Sequence, residues 1–262
     1  MALFFRDDPS YDETRRMTGF DRYRQLLSAY AFRWLLVNML TTLGMIPLAA
    51  GIWLSIASSS IAVLIPASLI GGMIAGPFLA GLFDSIMRGL RDAPGKWQDH
   101  YQKSWKQNWK DSLLPGAVQG LLTGVFCFML YMIWISEAKL RFSTFLFSVL
   151  SSLLFLTLVT LWWPQLVLFK QSVGNRMKNI ILFVLKYPGK VLKAVFLEAG
   201  FYLLFILFAP WTLILIPFFG FWFIFFVAEY LLYDAMDESF RIEEQYVPLE
   251  GDPWAVNPID LQ

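Results

Sequence analysis

Apolar residues gather into long runs at about 34–57, 61–84, 113–136, 143–168, 191–209 and 212–233, with polar segments between them. A helix that crosses a bilayer needs about 20 apolar residues. The pattern therefore predicts an all-α, polytopic membrane bundle: six transmembrane helices arranged as three hairpins. The last two runs are hardest to separate, because 194–233 is almost continuously apolar and too long for one crossing. Pro210 offers a break, since proline removes a backbone donor and clashes with the preceding turn. Read instead as a single tilted helix, this stretch would put the acidic tail on the opposite face.

Two of the polar segments carry helical patterns of their own. In the first, Trp97, Tyr101, Trp105 and Trp109 recur every fourth residue, with Lys103, Lys106 and Lys110 among them. In the second, Ile180, Ile181, Phe183, Val184 and Leu185 lie between Lys178 and Lys186. Both patterns predict helices lying in the cytoplasmic headgroup layer, aromatic or aliphatic on one side and basic on the other. Each segment also contains Pro-Gly-Lys, at 94–96 and 188–190, expected to form turns.

Charge orients this architecture. Of the 21 Lys and Arg residues, all but Lys139 and Arg141 fall in segments that the six runs place on one side. Translocated loops are poor in cations, so both termini are expected in the cytoplasm of a cell-membrane protein. The implied organisation is a cytoplasmic segment at 1–33, a transmembrane domain at 34–233 and an acidic cytoplasmic tail at 234–262. A hydrophobic share of 57% and a mean hydropathy of +0.55 agree with a lipid-embedded chain. The first apolar run follows a long charged stretch and is not a short cleavable leader.

Small residues suggest how the helices pack. Gly72, Gly76 and Ala80 share one face of the second run, and Gly116, Gly120 and Gly124 share one face of the third. Without large side chains the backbones can approach closely, which is how helices adhere in lipid. Packing within the chain is the simpler use of these faces; a homodimer seam is the alternative.

Candidate chemistry is sparse. Polar residues inside the runs are Asn38, Asp84, Gln119, Gln165, Glu198 and Glu229, all expected within about two turns of the cytoplasmic face. Carboxylates in hydrocarbon are costly, so Glu198 and Glu229 should pair, protonate or reach the interface. Together with Trp97, Tyr101, Lys103, Trp105, Lys106, Trp109 and Lys110, these residues form the expected partner- or ligand-facing surface. A single histidine, His100, and a single cysteine, Cys127, give no metal-ligand set, no disulfide and no nucleophilic triad. There is no nucleotide-binding glycine loop. The expectation is a non-enzymatic protein without catalytic residues, cofactor, metal or nucleic-acid partner.

Several segments resemble the YesL-like integral membrane proteins of Gram-positive bacteria. They are Asn38 to Pro47 with Gly76-Pro77-Phe78-Leu79-Ala80-Gly81-Leu82-Phe83, then Ser104-Trp105-Lys106-Gln107-Asn108-Trp109-Lys110, and Lys178-Asn179-Ile180-Ile181-Leu182 with Pro188. The likeness spans about residues 20–235; the longer charged N-terminus and the acidic tail depart from it. It implies an accessory role beside a carbohydrate-importing ABC system and supplies no catalytic residues. Partners expected on this reading are the lipid bilayer and ABC transporter subunits on the cytoplasmic side. The alternatives are a small secondary transporter of a lipid or small molecule using Glu198 and Glu229, and a structural homodimer.

Overall fold

The computed structural model describes residues 18–93, 96–135, 141–245, 248–249 and 252–256. Helices dominate: α1 (Gly19–Ala57), α2 (Ile61–Leu90), α3 (Trp97–Ile135), α4 (Phe142–Leu168), α5 (Val173–Lys186) and α6 (Pro188–Leu207). A 3-10 turn at Trp211–Leu215 leads into α7 (Ile216–Phe219), α8 (Trp222–Phe240) and α9 (Ile242–Gln245). In the tail, β1 (Pro248–Leu249) pairs antiparallel with β2 (Asp252–Val256). The acidic stretch past 245 otherwise lies outside the described residues, as do the 1–17 segment and Pro94-Gly95.

Four helices, α1 to α4, are long and apolar enough to cross a membrane. The stretch Trp211–Phe219 with Trp222–Phe240 makes a fifth if the bent pair is one crossing; the two parts meet at 56°. The chain is thus a multi-helix, membrane-type bundle.

The helices α1, α2 and α3 form an antiparallel layer held by backbone contact. A Cβ placed on Gly72 would strike the Gly116 carbonyl, and one on Gly76 would strike that of Ser112. In the other direction, Gly116 abuts Gly72 and Gly76, Gly120 abuts Ser68 and Gly72, and Gly124 abuts Ser68. Ala80, one turn further along α2, is fully buried. The two small-residue faces found in the sequence therefore pack against each other, and the α3 face that offered a homodimer seam is occupied by α2. On the other side of α2, Gly71 lies against the Leu48 backbone of α1 and Gly44 lies under Phe78.

Two expectations for the polar segments are corrected. Trp97–Lys110 is not a separate helix lying flat in the interface. It is the first part of α3, which runs unbroken from Trp97 to Ile135. Nothing between Lys110 and Leu114 stops a helix, and Pro115 is absorbed within it, as membrane helices allow where neighbours support the freed backbone. Tyr101 also fixes this extension to α2, because its ring covers Gly81. Pro188-Gly189-Lys190, in turn, is no turn: Pro188 is the first residue of α6, where its missing N–H costs nothing. The bend falls at Tyr187.

The second segment does form a discrete amphipathic helix, α5. Its N-cap Ser172 accepts a hydrogen bond from the Asn175 N–H. Arg176, Ile180 and Phe183 face the bundle, while Ile181, Leu182 and Leu185 are exposed.

The packed core sits at one end of the bundle. It is built from Leu26, Trp34 and Val37 of α1, Leu79 to Leu90 of α2, Val159 to Leu168 of α4, Val191 to Val195 of α6 and Trp222 to Met236 of α8. Trp34 anchors it: the indole stacks near Phe226 and Trp222, and its N–H donates to the Ser85 carbonyl at 3.1 Å. Arg22, also buried, reaches over the end of α2 to the Leu90 carbonyl and the Asp92 carboxylate. At the other end the helices splay. The first half of α4 and the last half of α6 expose Phe142, Phe147, Leu154, Leu203 and Leu207, surfaces suited to lipid.

Candidate functional site

The site is assembled where α1, α4, α6 and α8 meet, and it begins with a break in a helix. Between Phe219 and Trp222 the chain leaves helical geometry. The Ile216 carbonyl still accepts the Gly220 N–H at 2.9 Å, but the break leaves the amide hydrogens at the start of α8 without partners from their own helix. Asn38 of α1, with no exposure, serves both sides of the break. Its amide nitrogen donates to the carbonyls of Ile216 (2.9 Å) and Pro217 (2.7 Å). Its amide oxygen accepts from the N–H groups of Phe221 and Trp222, both at 3.0 Å. One side chain therefore caps two helix ends at once.

Below this joint lie two buried carboxyl groups. Glu198 of α6 and Glu229 of α8 are both completely shielded from solvent. The Thr160 hydroxyl of α4 lies 2.8 and 2.7 Å from the two oxygens of Glu198. The same hydroxyl lies 2.8 Å from the Leu156 carbonyl, a back-bond common for Thr in helices. Among the described residues, neither oxygen of Glu229 has a hydrogen-bond partner. The charge of Glu198 reaches Glu229 and also Tyr202, one turn further along α6. Among the described residues, neither carboxyl has a Lys, Arg or His within ion-pair distance.

The other polar residues of the runs are placed apart. Asp84 is neutralised within α2 by Arg88, Oδ2 to Nε at 2.7 Å. Gln119 accepts a hydrogen bond from the Trp163 indole N–H at 2.7 Å, joining α3 to α4. Gln165 is buried with both amide atoms unpartnered. The six polar positions thus divide into a helix clasp (Asn38), two local ties (Asp84, Gln119), a buried amide (Gln165) and the Glu198–Glu229 pair.

A second surface lies on the α3 extension. Trp97 packs on the core and Tyr101 is buried. Lys103, Trp105, Lys106, Trp109 and Lys110 are exposed, with the Lys110 ammonium over the Trp109 ring. The Trp105 ring meets Phe78 edge-on. The aromatic stripe is therefore split, its first half serving the fold and its second half facing outward.

Several functional-looking residues were not singled out by sequence. Thr160 and Tyr202 look like ordinary polar members of apolar runs; only the approach of α4 to α6 sets Thr160 on Glu198. Arg176 looked like one basic residue of a cytoplasmic loop. It is buried, its guanidinium stacks 5.1 Å over Trp162, and burial holds its pKa below the ordinary arginine value, with Asp111 opposing that shift. Among the described residues no group of three or more His, Cys, Asp or Glu side chains is arranged to hold a metal ion. Compared with protein-family models, curated proteins and solved structures, the chain matches none.

Proposed function

We propose that the chain is a non-enzymatic, integral membrane accessory or scaffold protein, working through its cytoplasmic end beside a carbohydrate-importing ABC complex. In this reading it crosses the cell membrane six times as three hairpins, with both termini cytoplasmic. The crossings are α1, α2, α3, α4, α6 and the bent pair. At 20 residues, α6 is about 30 Å long, enough for one hydrocarbon layer. The cations gather at the end where the core is packed, as expected for the side that is not translocated. The exposed apolar side of α5 then rests in the headgroup layer.

The observation that carries this reading is the continuation of α3 beyond the apolar run, braced by Tyr101 on Gly81 and presenting Lys103, Trp105, Lys106, Trp109 and Lys110 outward. Exposed Trp side chains are enriched where proteins meet, and the flanking Lys residues supply a field that steers an acidic partner. The YesL-like resemblance supplies the ABC partner. The test is affinity purification of the tagged protein from its host in mild detergent, compared with a variant reversing Lys103, Lys106 and Lys110 to Glu. Stoichiometric ABC permease or ATPase subunits with the native chain, and their loss with the variant, support the proposal. Equal recovery with both chains sinks it.

A second reading, a small secondary transporter of a lipid or small molecule, is favoured by the buried Glu198 and Glu229 beside an interrupted helix. Transporters use such interruptions at their sites. It predicts that Glu198→Gln or Glu229→Gln abolishes uptake into vesicles while the protein remains folded. Unimpaired uptake by both variants would remove it.

A further inference from the structure

We propose that Glu198 and Glu229 form a proton-binding site at the junction of α4, α6 and α8, with Thr160 as the hydrogen-bond partner of the proton on Glu198. The inference goes beyond the accessory role and does not depend on it.

The Thr160 hydroxyl owns one proton, yet it lies within hydrogen-bond distance of two kinds of acceptor: the Leu156 carbonyl and the Glu198 carboxyl. A hydroxyl donates once and accepts through its lone pairs. If Thr160 donates to Leu156, the contact with Glu198 is a hydrogen bond only when Glu198 supplies the hydrogen. Both bonds exist together when Glu198 is a neutral acid donating to the Thr160 Oγ1.

Glu229 is buried just as completely. A fully buried carboxylate with no hydrogen bond to either oxygen would forfeit its hydration with nothing in return, and such ions neutralise instead. Four basic groups on neighbouring elements are drawn to other partners. Arg22 of α1 lies on Asp92, Arg88 of α2 on Asp84, Arg176 of α5 on the Trp162 ring, and Lys186 near Glu238. What faces the pair is neutral: Thr160 from α4 and the Tyr202 phenol from α6. Glu229 lies within electrostatic reach of Glu198 across the α6–α8 contact, so the two carboxyls share one enclosure. Each carboxylate takes one proton from hydronium, releasing water and becoming a neutral acid, with no other reactant.

The test is infrared spectroscopy of the full-length protein in lipid nanodiscs at neutral pH, in water and in heavy water. The expected result is a protonated-carboxyl C=O band that shifts on deuteration, is reduced in Glu198→Gln and in Glu229→Gln, and is lost in the double variant. Thr160→Val should move the Glu198 component to higher frequency by removing its hydrogen bond. An undiminished band in the double variant, or no such band in the native protein, overturns the proposal; the native spectrum needs no variant to fold. Disappearance of the band on adding sodium at fixed pH also overturns it, by making the site one for a metal cation.

Discussion

The amide oxygen of Asn38 accepts the backbone N–H of Trp222 across 3.0 Å, tying the first helix to the start of the helix that follows the break. The same side chain donates to the Ile216 and Pro217 carbonyls on the other side of that break. A broken helix inside a membrane is tolerated only where the freed backbone groups find partners, and Asn38 supplies them from a single position.

Asn38→Ala should therefore be among the most damaging single truncations in the chain. It removes the Asn38 partner of the Pro217 carbonyl and of the Phe221 and Trp222 N–H groups, at about 1–3 kcal/mol for each group left unsatisfied, while the Ile216 carbonyl keeps the Gly220 N–H. Thermal unfolding in detergent should show a large loss of stability, and hydrogen exchange at Phe221 and Trp222 should accelerate. Retained protection at those two amides would show that the clasp is dispensable.

Gly116→Leu should disrupt the α2–α3 contact within one chain, because the new side chain meets the Gly72 carbonyl and the Gly76 backbone. Overpacking of this kind costs about 1–3 kcal/mol or more when the obstacle is main chain. The readout is unfolding temperature together with cross-linking between cysteines placed at Ser68 and Gly124. A variant that keeps its stability, and loses only a dimer, would return this face to a role between chains.

Arg22→Ala should destabilise the C-terminal end of α2. The guanidinium is buried, caps the Leu90 carbonyl at 3.2 Å and pairs with Asp92, which is itself about half exposed. Water screens the Asp92 side of the pair, so the carbonyl is the larger loss, about 1–2 kcal/mol in all. Asp92→Ala should cost less than Arg22→Ala. The reverse order in chemical denaturation would contradict this assignment.

Reversing Lys103, Lys106 and Lys110 to Glu should leave the fold nearly unchanged, within about 0.5 kcal/mol per position, since all three side chains are exposed. Tyr101→Ala, two residues before Lys103, should destabilise the protein by about 3–5 kcal/mol, because a buried ring is removed from Gly81. The contrast, measured by unfolding in one detergent, separates the binding half of the aromatic stripe from its structural half. Equal losses for both variants would refute the division.

Much of the architecture was legible in the chain. The apolar runs that become α1 to α4 have bilayer length, and the small residues of α2 and α3 fall on single faces at fourfold spacing. These are local properties of composition and period, and they hold whatever the neighbours are. The polar positions were legible as a set, because a carboxyl or amide in an apolar run is conspicuous by itself. Their partners were not. Asn38 lies far along the chain from Trp222, and Thr160 far from Glu198. In lipid, moreover, apolar side chains face neighbours and solvent alike, so hydropathy does not say which face of α4 meets α6. The sequence by itself determined a membrane bundle with a basic end and two complementary glycine faces. Only the tertiary structure decided that α3 runs unbroken out of its apolar segment, that the chain bends before α8 and is clasped there by Asn38, and that two carboxyls are enclosed without a cation among the described residues. The reason is physical: each of these depends on hydrogen bonds and burial between helices, and packing alone brings their members together.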